Sequence, residues 1–224
     1  MAVLTLYRTT IGKKVIMAVT GAILVGFVIA HMLGNLHTFE GREELNAYGA
    51  FLRSVGSPAL PSEVALWILR GILLIAVGLH IWSAVSLTRS DWAARPVGYR
   101  TKRALTASWA ARTMKISGVL LGVFIVYHIL HFTTGTVHPN FHHGDVYNNV
   151  LVAFGNPLIA LIYVVAMAFL GLHLYHGVWS MFQTLGLNNR GRNRFWGGVA
   201  TVTSVLVAVG FVLVPLAVVA GLVK

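Results

Sequence analysis

The chain has 224 residues, of which 57% are hydrophobic and only 10% are charged, and its formal charge is +11. A soluble domain has about 25% charged residues, so most of this chain is expected to lie in lipid. The positive charge does not indicate nucleic acid, because the basic residues lie between apolar runs, as membrane topology requires. The absence of cysteine excludes disulfides, an iron–sulfur cluster ligated by this chain and thioether-linked haem.

Five apolar runs are each long enough to cross the roughly 30 Å of hydrocarbon in a bilayer at about 1.5 Å per residue. The predicted spans cover residues 15–36, 64–88, 110–133, 156–185 and 196–222. The predicted fold is therefore an all-α membrane protein with five transmembrane helices in one domain over residues 1–224.

Two connections between the spans have a recognisable pattern. Apolar residues recur at three- and four-residue steps from Leu45 to Val55, which predicts an amphipathic helix on the membrane surface over about 43–55. Residues 134–154 are predicted to form a polar, histidine-rich loop.

The basic residues determine the predicted orientation. When the spans alternate in direction, thirteen of the seventeen lysines and arginines fall on one face and five of the six carboxylates on the other. The thirteen are Arg8, Lys13, Lys14, Arg89, Arg95, Arg100, Lys102, Arg103, Arg112, Lys115, Arg190, Arg192 and Arg194. The positive-inside rule then places the N-terminus on the cytoplasmic side, and the expected location is a bacterial inner membrane.

Four spans carry a histidine, which is costly in hydrocarbon and by default faces a protein interior. His31 lies 17 residues after Lys14, and His128 lies 13 residues after Lys115, so both fall towards the outer face. We call them the outer pair. His80 lies nearer the cytoplasmic face, nine residues before Arg89.

The partner of His80 is a histidine of the fourth span, either His173 or His176. The same choice arises at the outer level, because His131 follows His128 by three residues on nearly the same helix face. In each of these two sets, the histidine that does not bind the cofactor as a ligand would contact a haem propionate or a quinone. The remaining histidines are predicted to be surface residues in outer loops, with weak surface metal binding as the alternative: His37, His138, His142 and His143.

Neutral imidazoles that meet from facing helices suit an iron porphyrin bound on both axial faces. Without cysteine the haem would be of the b type, and iron with two histidine ligands transfers electrons and does not activate oxygen. A carboxylate-bridged di-iron site needs acidic residues in these helices, and no helix interior has one. A single tetrahedral zinc site is excluded because the two levels lie too far apart.

Arg70 lies inside the second span, ten residues before His80 and therefore about 15 Å nearer the outer face. Two interpretations are open. Arg70 pairs with a propionate of the outer haem, or it snorkels to the membrane interface.

Several segments resemble the cytochrome b subunit of succinate:quinone oxidoreductases, in particular the b558-type di-haem family. They are GKKVIMAVTG and HMLGNL in the first span, YHILHF in the third and HLYHGVWSMFQTLG in the fourth. The resemblance implies four of the spans bundled around two stacked haems, with His31 and His128 as outer ligands. It also implies His80 and His173 as inner ligands, because the family's His-x-x-x-Gly pattern falls on His173 and Gly177.

The same resemblance implies partners and a function. A flavoprotein and an iron–sulfur subunit would bind the cytoplasmic face, and this chain would anchor them, hold two haems b and reduce a quinone, with menaquinone expected. Succinate chemistry would take place in the partners, and the whole complex can form higher oligomers. Two alternatives are a cytochrome b subunit of a hydrogenase or formate dehydrogenase, and a transporter with intramembrane histidines. A transporter would typically have broken helices and a midplane acidic residue, which this chain lacks.

Overall fold

The computed structural model describes residues 7–94 and 109–224, with side chains from residue 113 onward in the second stretch. Seven α-helices, and no strand, occur in these residues. They are α1 (Thr10–Leu36), α2 (Arg42–Ser54), α3 (Val64–Ala93), α4 (Trp109–His128), α5 (Val146–Phe154), α6 (Pro157–Thr184) and α7 (Asn193–Val219). A 3-10 turn (His37–Glu40) follows α1, and α4 continues into a π-helical turn (Ile129–Thr133).

Five helices are long and apolar enough to cross a membrane, namely α1, α3, α4 with its π turn, α6 and α7. This confirms the all-α membrane fold with five spans. Large apolar side chains are exposed along them, such as Leu74 at 66% and Val119 at 69%. Apolar surface of this extent is not tolerated in water, and lipid accounts for it.

The helix ends follow from local capping. Thr9 accepts a hydrogen bond from the Gly12 amide (3.0 Å), so α1 begins five residues before the predicted span. Asn156 caps α6 by accepting from the Leu158 amide (3.0 Å), and Pro157 occupies the first turn, where its missing N–H costs nothing.

The segment 134–154 is not entirely a loop, and in this respect the prediction was wrong. Its last part forms α5, which is capped by Asp145 and buries Tyr147, Val150 and Phe154. Together with Leu45 of α2 and residues of α6 and α7, these side chains form the main packed core. The spacing of three and four residues was visible in the sequence, but the polar surroundings of the segment concealed it.

Helices α2 and α5 together form a cap at the end of the bundle opposite to the N-terminus of α1. Asp145 accepts hydrogen bonds from the side chain of Asn46 (3.0 Å) and from the amide of Asn148 (3.2 Å), and it lies 3.6 Å from a guanidinium nitrogen of Arg42. Asn46 in turn accepts from the Tyr147 amide (3.1 Å). Asp145 therefore links the two helices of the cap.

The hydrogen bond from Asn46, helped by the Asn148 amide and by the charges of Arg42 and His142, holds the pKa of Asp145 below its usual value. A lowered pKa stabilises the fold above the unfolded value of about 4, and the stabilisation is lost as the pH falls through the folded value. We expect hydrogen-exchange protection of the Asn148 amide to fall on acidification to about pH 3. In Asp145→Asn, which does not titrate, the loss should be smaller, and an equal loss in both proteins would contradict this role.

Part of the basic connection between the second and third spans lies outside the described residues. This concerns Arg95, Arg100, Lys102 and Arg103, together with the side chain of Arg112.

The helix packing leaves gaps where the histidines lie. Helix α1 packs against α3, α6 and α7, and α4 packs against α6. Over their described lengths, α1 and α4 do not pack closely backbone to backbone, and neither do α3 and α6. The two histidine pairs lie across these two wider separations.

Candidate cofactor site

The outer pair joins α1 and α4. The ring centroids of His31 and His128 are 5.7 Å apart, and the ring planes are inclined by 78°. Each ring stacks on a phenylalanine one turn earlier in its own helix, Phe27 for His31 (5.3 Å between centroids) and Phe124 for His128 (5.8 Å). These contacts orient both imidazoles into the space between the helices.

The inner pair joins α3 and α6. The ring centroids of His80 and His173 are 6.3 Å apart, with the planes inclined by 58°. The ring facing His80 is thus that of His173, whereas the ring of His176 lies against Trp179 (6.3 Å).

Both separations fit a metal ion between the two rings of a pair. Two metal–imidazole bonds of about 2 Å, with about 1 Å from each nitrogen to its ring centroid, place the centroids about 6 Å apart. Among the described residues no three His, Asp or Glu side chains converge as a protein-ligated metal ion would require. Pairs of histidines, each across a gap, are the donor set of an axially ligated haem.

Each imidazole of the inner pair has a hydroxyl group of another helix beside its Nδ1. Thr20 of α1 lies 3.2 Å from Nδ1 of His80, and Ser117 of α4 lies 3.2 Å from Nδ1 of His173. Each hydroxyl proton is already donated to a backbone carbonyl of its own helix, that of Ile16 (2.7 Å) or Met114 (3.0 Å). The hydroxyl oxygens are thus placed to accept a hydrogen bond from Nδ1–H of both inner histidines.

Two glycines border the same rings. A Cβ on Gly21 would lie 3.5 Å from Cε1 of His80, and one on Gly118 would lie 3.6 Å from Cε1 of His173. Any side chain longer than alanine at either position would press on the imidazole. The residues of the inner level thus fit a group held between His80 and His173.

The outer pair has different polar neighbours. The hydroxyl of Tyr163 on α6 lies 3.4 Å from Nδ1 of His128 and only 2.9 Å from Nδ1 of His131. Asn35 donates to the carbonyl of His31 (2.7 Å), and its side-chain nitrogen lies 3.5 Å from Nε2 of the same residue.

His131 is completely buried in the π turn, and its contacts differ from those of His128. Its ring stacks on Tyr127 (5.2 Å) and on His138 (5.0 Å), and its Nε2 is buried without a hydrogen-bond partner. The structure brings His128, and not His131, opposite His31.

His138 was predicted to be a surface residue, and this prediction was wrong. Its side chain is 8% exposed, Nε2 donates to the carbonyl of Asn149 (3.0 Å), and Nδ1 accepts from the amide of Asn140 (3.1 Å). It packs between the π turn and α5. The other loop histidines lie nearer solvent, and His37 pairs with Glu40 (2.9 Å).

Arg70 lies near the N-terminal end of α3, with its guanidinium carbon 4.6 Å from the ring centroid of Trp67. Both residues line a cavity of about 820 Å³ beside the cap, together with Arg53, Glu63 and His143. Arg53 is paired with Glu63 in this cavity (3.7 Å). The structure therefore places Arg70 in a cavity at the end of the bundle that the cap covers.

Sequence reasoning did not identify Thr20, Gly21, Ser117 and Gly118, although a signal for them exists. The segments TGAILVGFVIAH (20–31) and SGVLLGVFIVYH (117–128) correspond position by position at the hydroxyl, the glycine, the phenylalanine and the final histidine. The first and third spans are thus two copies of one pattern, in which a histidine of the outer pair and a hydroxyl that contacts the inner pair lie on the same helix.

The comparison with protein families agrees with this architecture. A model of the succinate dehydrogenase/fumarate reductase transmembrane subunit family matches residues 94–214, more than half of the chain and including His128 and His173. No curated protein and no solved structure matches the chain significantly. With five membrane-spanning helices and a family match over most of the last three, the chain belongs to the succinate dehydrogenase/fumarate reductase transmembrane subunit family.

Proposed function

We propose that this chain is the cytochrome b anchor of a succinate:quinone oxidoreductase, in which two haems b carry electrons between an iron–sulfur subunit and menaquinone. The family assignment supports a membrane subunit of such a complex. It favours this function over that of a hydrogenase or formate dehydrogenase subunit and over that of a transporter.

The observation that carries the proposal is the presence of two facing histidine pairs at different depths. His31 and His128 would hold the iron of the outer haem, and His80 and His173 that of the inner haem. When bound, each haem would supply a one-electron couple with no open coordination position. The protein's own contribution is to orient the imidazoles and to exclude water and charge from the space between the helices.

The inner and outer histidine pairs lie about half the thickness of the hydrocarbon core apart. Thr20 touches the inner pair and His31 belongs to the outer pair, so the levels differ by eleven residues along α1. At about 1.5 Å per residue this is about 16 Å, or half of a hydrocarbon core of about 30 Å. The positive-inside distribution supports a cytoplasmic N-terminus in a bacterial inner membrane, with the flavoprotein and iron–sulfur subunits on the inner side.

Purification of the complex through a tag on this chain tests the proposal. We expect a flavin-containing subunit and an iron–sulfur subunit to co-purify, and succinate to reduce both the b haems and an added naphthoquinone. Co-purification of hydrogenase or formate dehydrogenase subunits, with no response to succinate, would contradict it.

Arg70 is proposed to interact with a propionate of the outer haem, on the basis of its place in the cavity beside the cap. Loss of a nearby positive charge favours the oxidised, more positive form of a haem, so Arg70→Gln should lower the midpoint potential of the outer haem and spare the inner one. A redox titration monitored by absorbance measures both. Arg53→Gln is the matched control, because Arg53 lines the same cavity but is paired with Glu63. Equal shifts of both haems in Arg70→Gln, or none, would favour snorkelling.

A further inference from the structure

Two buried hydroxyl groups contact the inner histidines. Thr20 is 5% exposed and Ser117 is fully buried, and each lies on a different helix from the histidine that it contacts. We propose that Thr20 and Ser117 are positioning residues that fix the tautomer of His80 and His173 and tune the inner haem. This inference rests on the proposed function, because it takes the inner pair to be haem ligands.

The direction of the hydrogen bonds follows from proton counting. A Ser or Thr hydroxyl has one proton to donate. The proton of Thr20 goes to the Ile16 carbonyl at 2.7 Å and that of Ser117 to the Met114 carbonyl at 3.0 Å. With the hydroxyl protons on these carbonyls, the hydroxyl lone pairs face the histidines, and on this proposal Nδ1–H of each imidazole is the donor. Nε2 then keeps its lone pair, which is the form that a metal requires.

A role in helix geometry alone does not explain the arrangement. A hydroxyl that bonds a carbonyl three or four residues earlier is common in membrane helices and needs no further partner. Here, however, both hydroxyls stand eleven residues before an outer histidine, and both are followed by a glycine that borders an inner histidine. The same hydroxyl–glycine arrangement therefore occurs twice, once beside His80 and once beside His173.

Within residues 7–94 and 113–224, no serine or threonine hydroxyl is placed at the outer pair as those of Thr20 and Ser117 are at the inner pair. The hydroxyl nearest to an outer ligand is that of Tyr163, which lies closer to His131 (2.9 Å) than to His128 (3.4 Å). Removal of Thr20 or Ser117 should therefore affect the inner haem alone.

The expected change has a definite sign. An acceptor on Nδ1–H makes the imidazole a stronger electron donor, which stabilises the oxidised iron. We therefore expect Thr20→Val and Ser117→Ala each to raise the midpoint potential of the inner haem, and the double variant to raise it further. Thr20→Ser and Ser117→Thr keep the hydroxyl and should retain the wild-type potential.

The experiment is a redox titration of the purified complex, after the haem content per chain of each variant has been measured. Thr201→Val is the matched control, because its hydroxyl makes the same bond to a helix carbonyl (that of Gly197, 2.9 Å) on an exposed face of α7. Unchanged inner potentials in both single variants, with two haems retained, would overturn the inference and leave the proposed function intact. A wild-type chain without haem would overturn the proposed function itself. The two substitutions act on different ligands, so either variant suffices if the other fails to fold.

Discussion

The variant His80→Ala is expected to contain one haem per chain in place of the two proposed for the wild-type protein, and the missing haem should be the inner one. His80 and His173 face each other across the gap between α3 and α6, so removal of one would leave the iron of the proposed inner haem with a single protein ligand. Alanine also leaves Thr20 without the imidazole that it orients. Haem extraction and quantification per chain measures the loss, and the spectrum of the remaining haem identifies it.

His176→Ala is the matched control for this variant, since His176 lies in the same helix turn as His173 but packs against Trp179. It should keep both haems. A variant His176→Ala with one haem, together with a variant His80→Ala with two, would show that the inner pair is not the ligand set.

The variant His128→Ala is expected to lose the outer haem and to retain the inner one. Its ring faces His31 and is held from behind by Phe124, whereas no other described histidine of α4 or its π turn faces His31. His128→Ala should therefore contain one haem per chain, as His80→Ala should. Its spectrum should be that of the inner haem, whereas the spectrum of His80→Ala should be that of the outer haem.

His131→Ala distinguishes ligation from packing at the outer level. His131 is fully buried, and its replacement leaves a void and removes the close hydrogen-bond partner of Tyr163. We expect a loss of stability of about 1–3 kcal/mol with both haems retained, measured by thermal unfolding and haem content. Loss of the outer haem in His131→Ala but not in His128→Ala would reverse the assignment.

The five spans and the depths of the histidines in the membrane were predictable because both follow from counting residues along the sequence. A run of apolar residues gives the span, and the number of residues between a histidine and the nearest basic cluster gives its depth. Depth alone left His173 and His176 open, because three residues change the depth by only about 4–5 Å. The structure adds the direction of each ring, which places His173 opposite His80.

The features that were missed depend on contacts between distant segments. Helix α5 is short and is stabilised by Asp145 with Asn46, a residue 99 positions away, and by burial against Leu45. His138 is buried between the π turn and α5. Thr20 and Ser117 look like ordinary residues of an apolar helix until the inner histidines, 60 and 56 positions later, pack against them.

The central claim, that each chain holds two haems b, is tested most directly by a dithionite-reduced minus oxidised spectrum of the purified wild-type protein with pyridine haemochrome quantification. The expected result is a b-type spectrum and two haems per polypeptide. A folded protein without haem would contradict the claim, and a single haem would show that only one of the two histidine pairs is a ligand set.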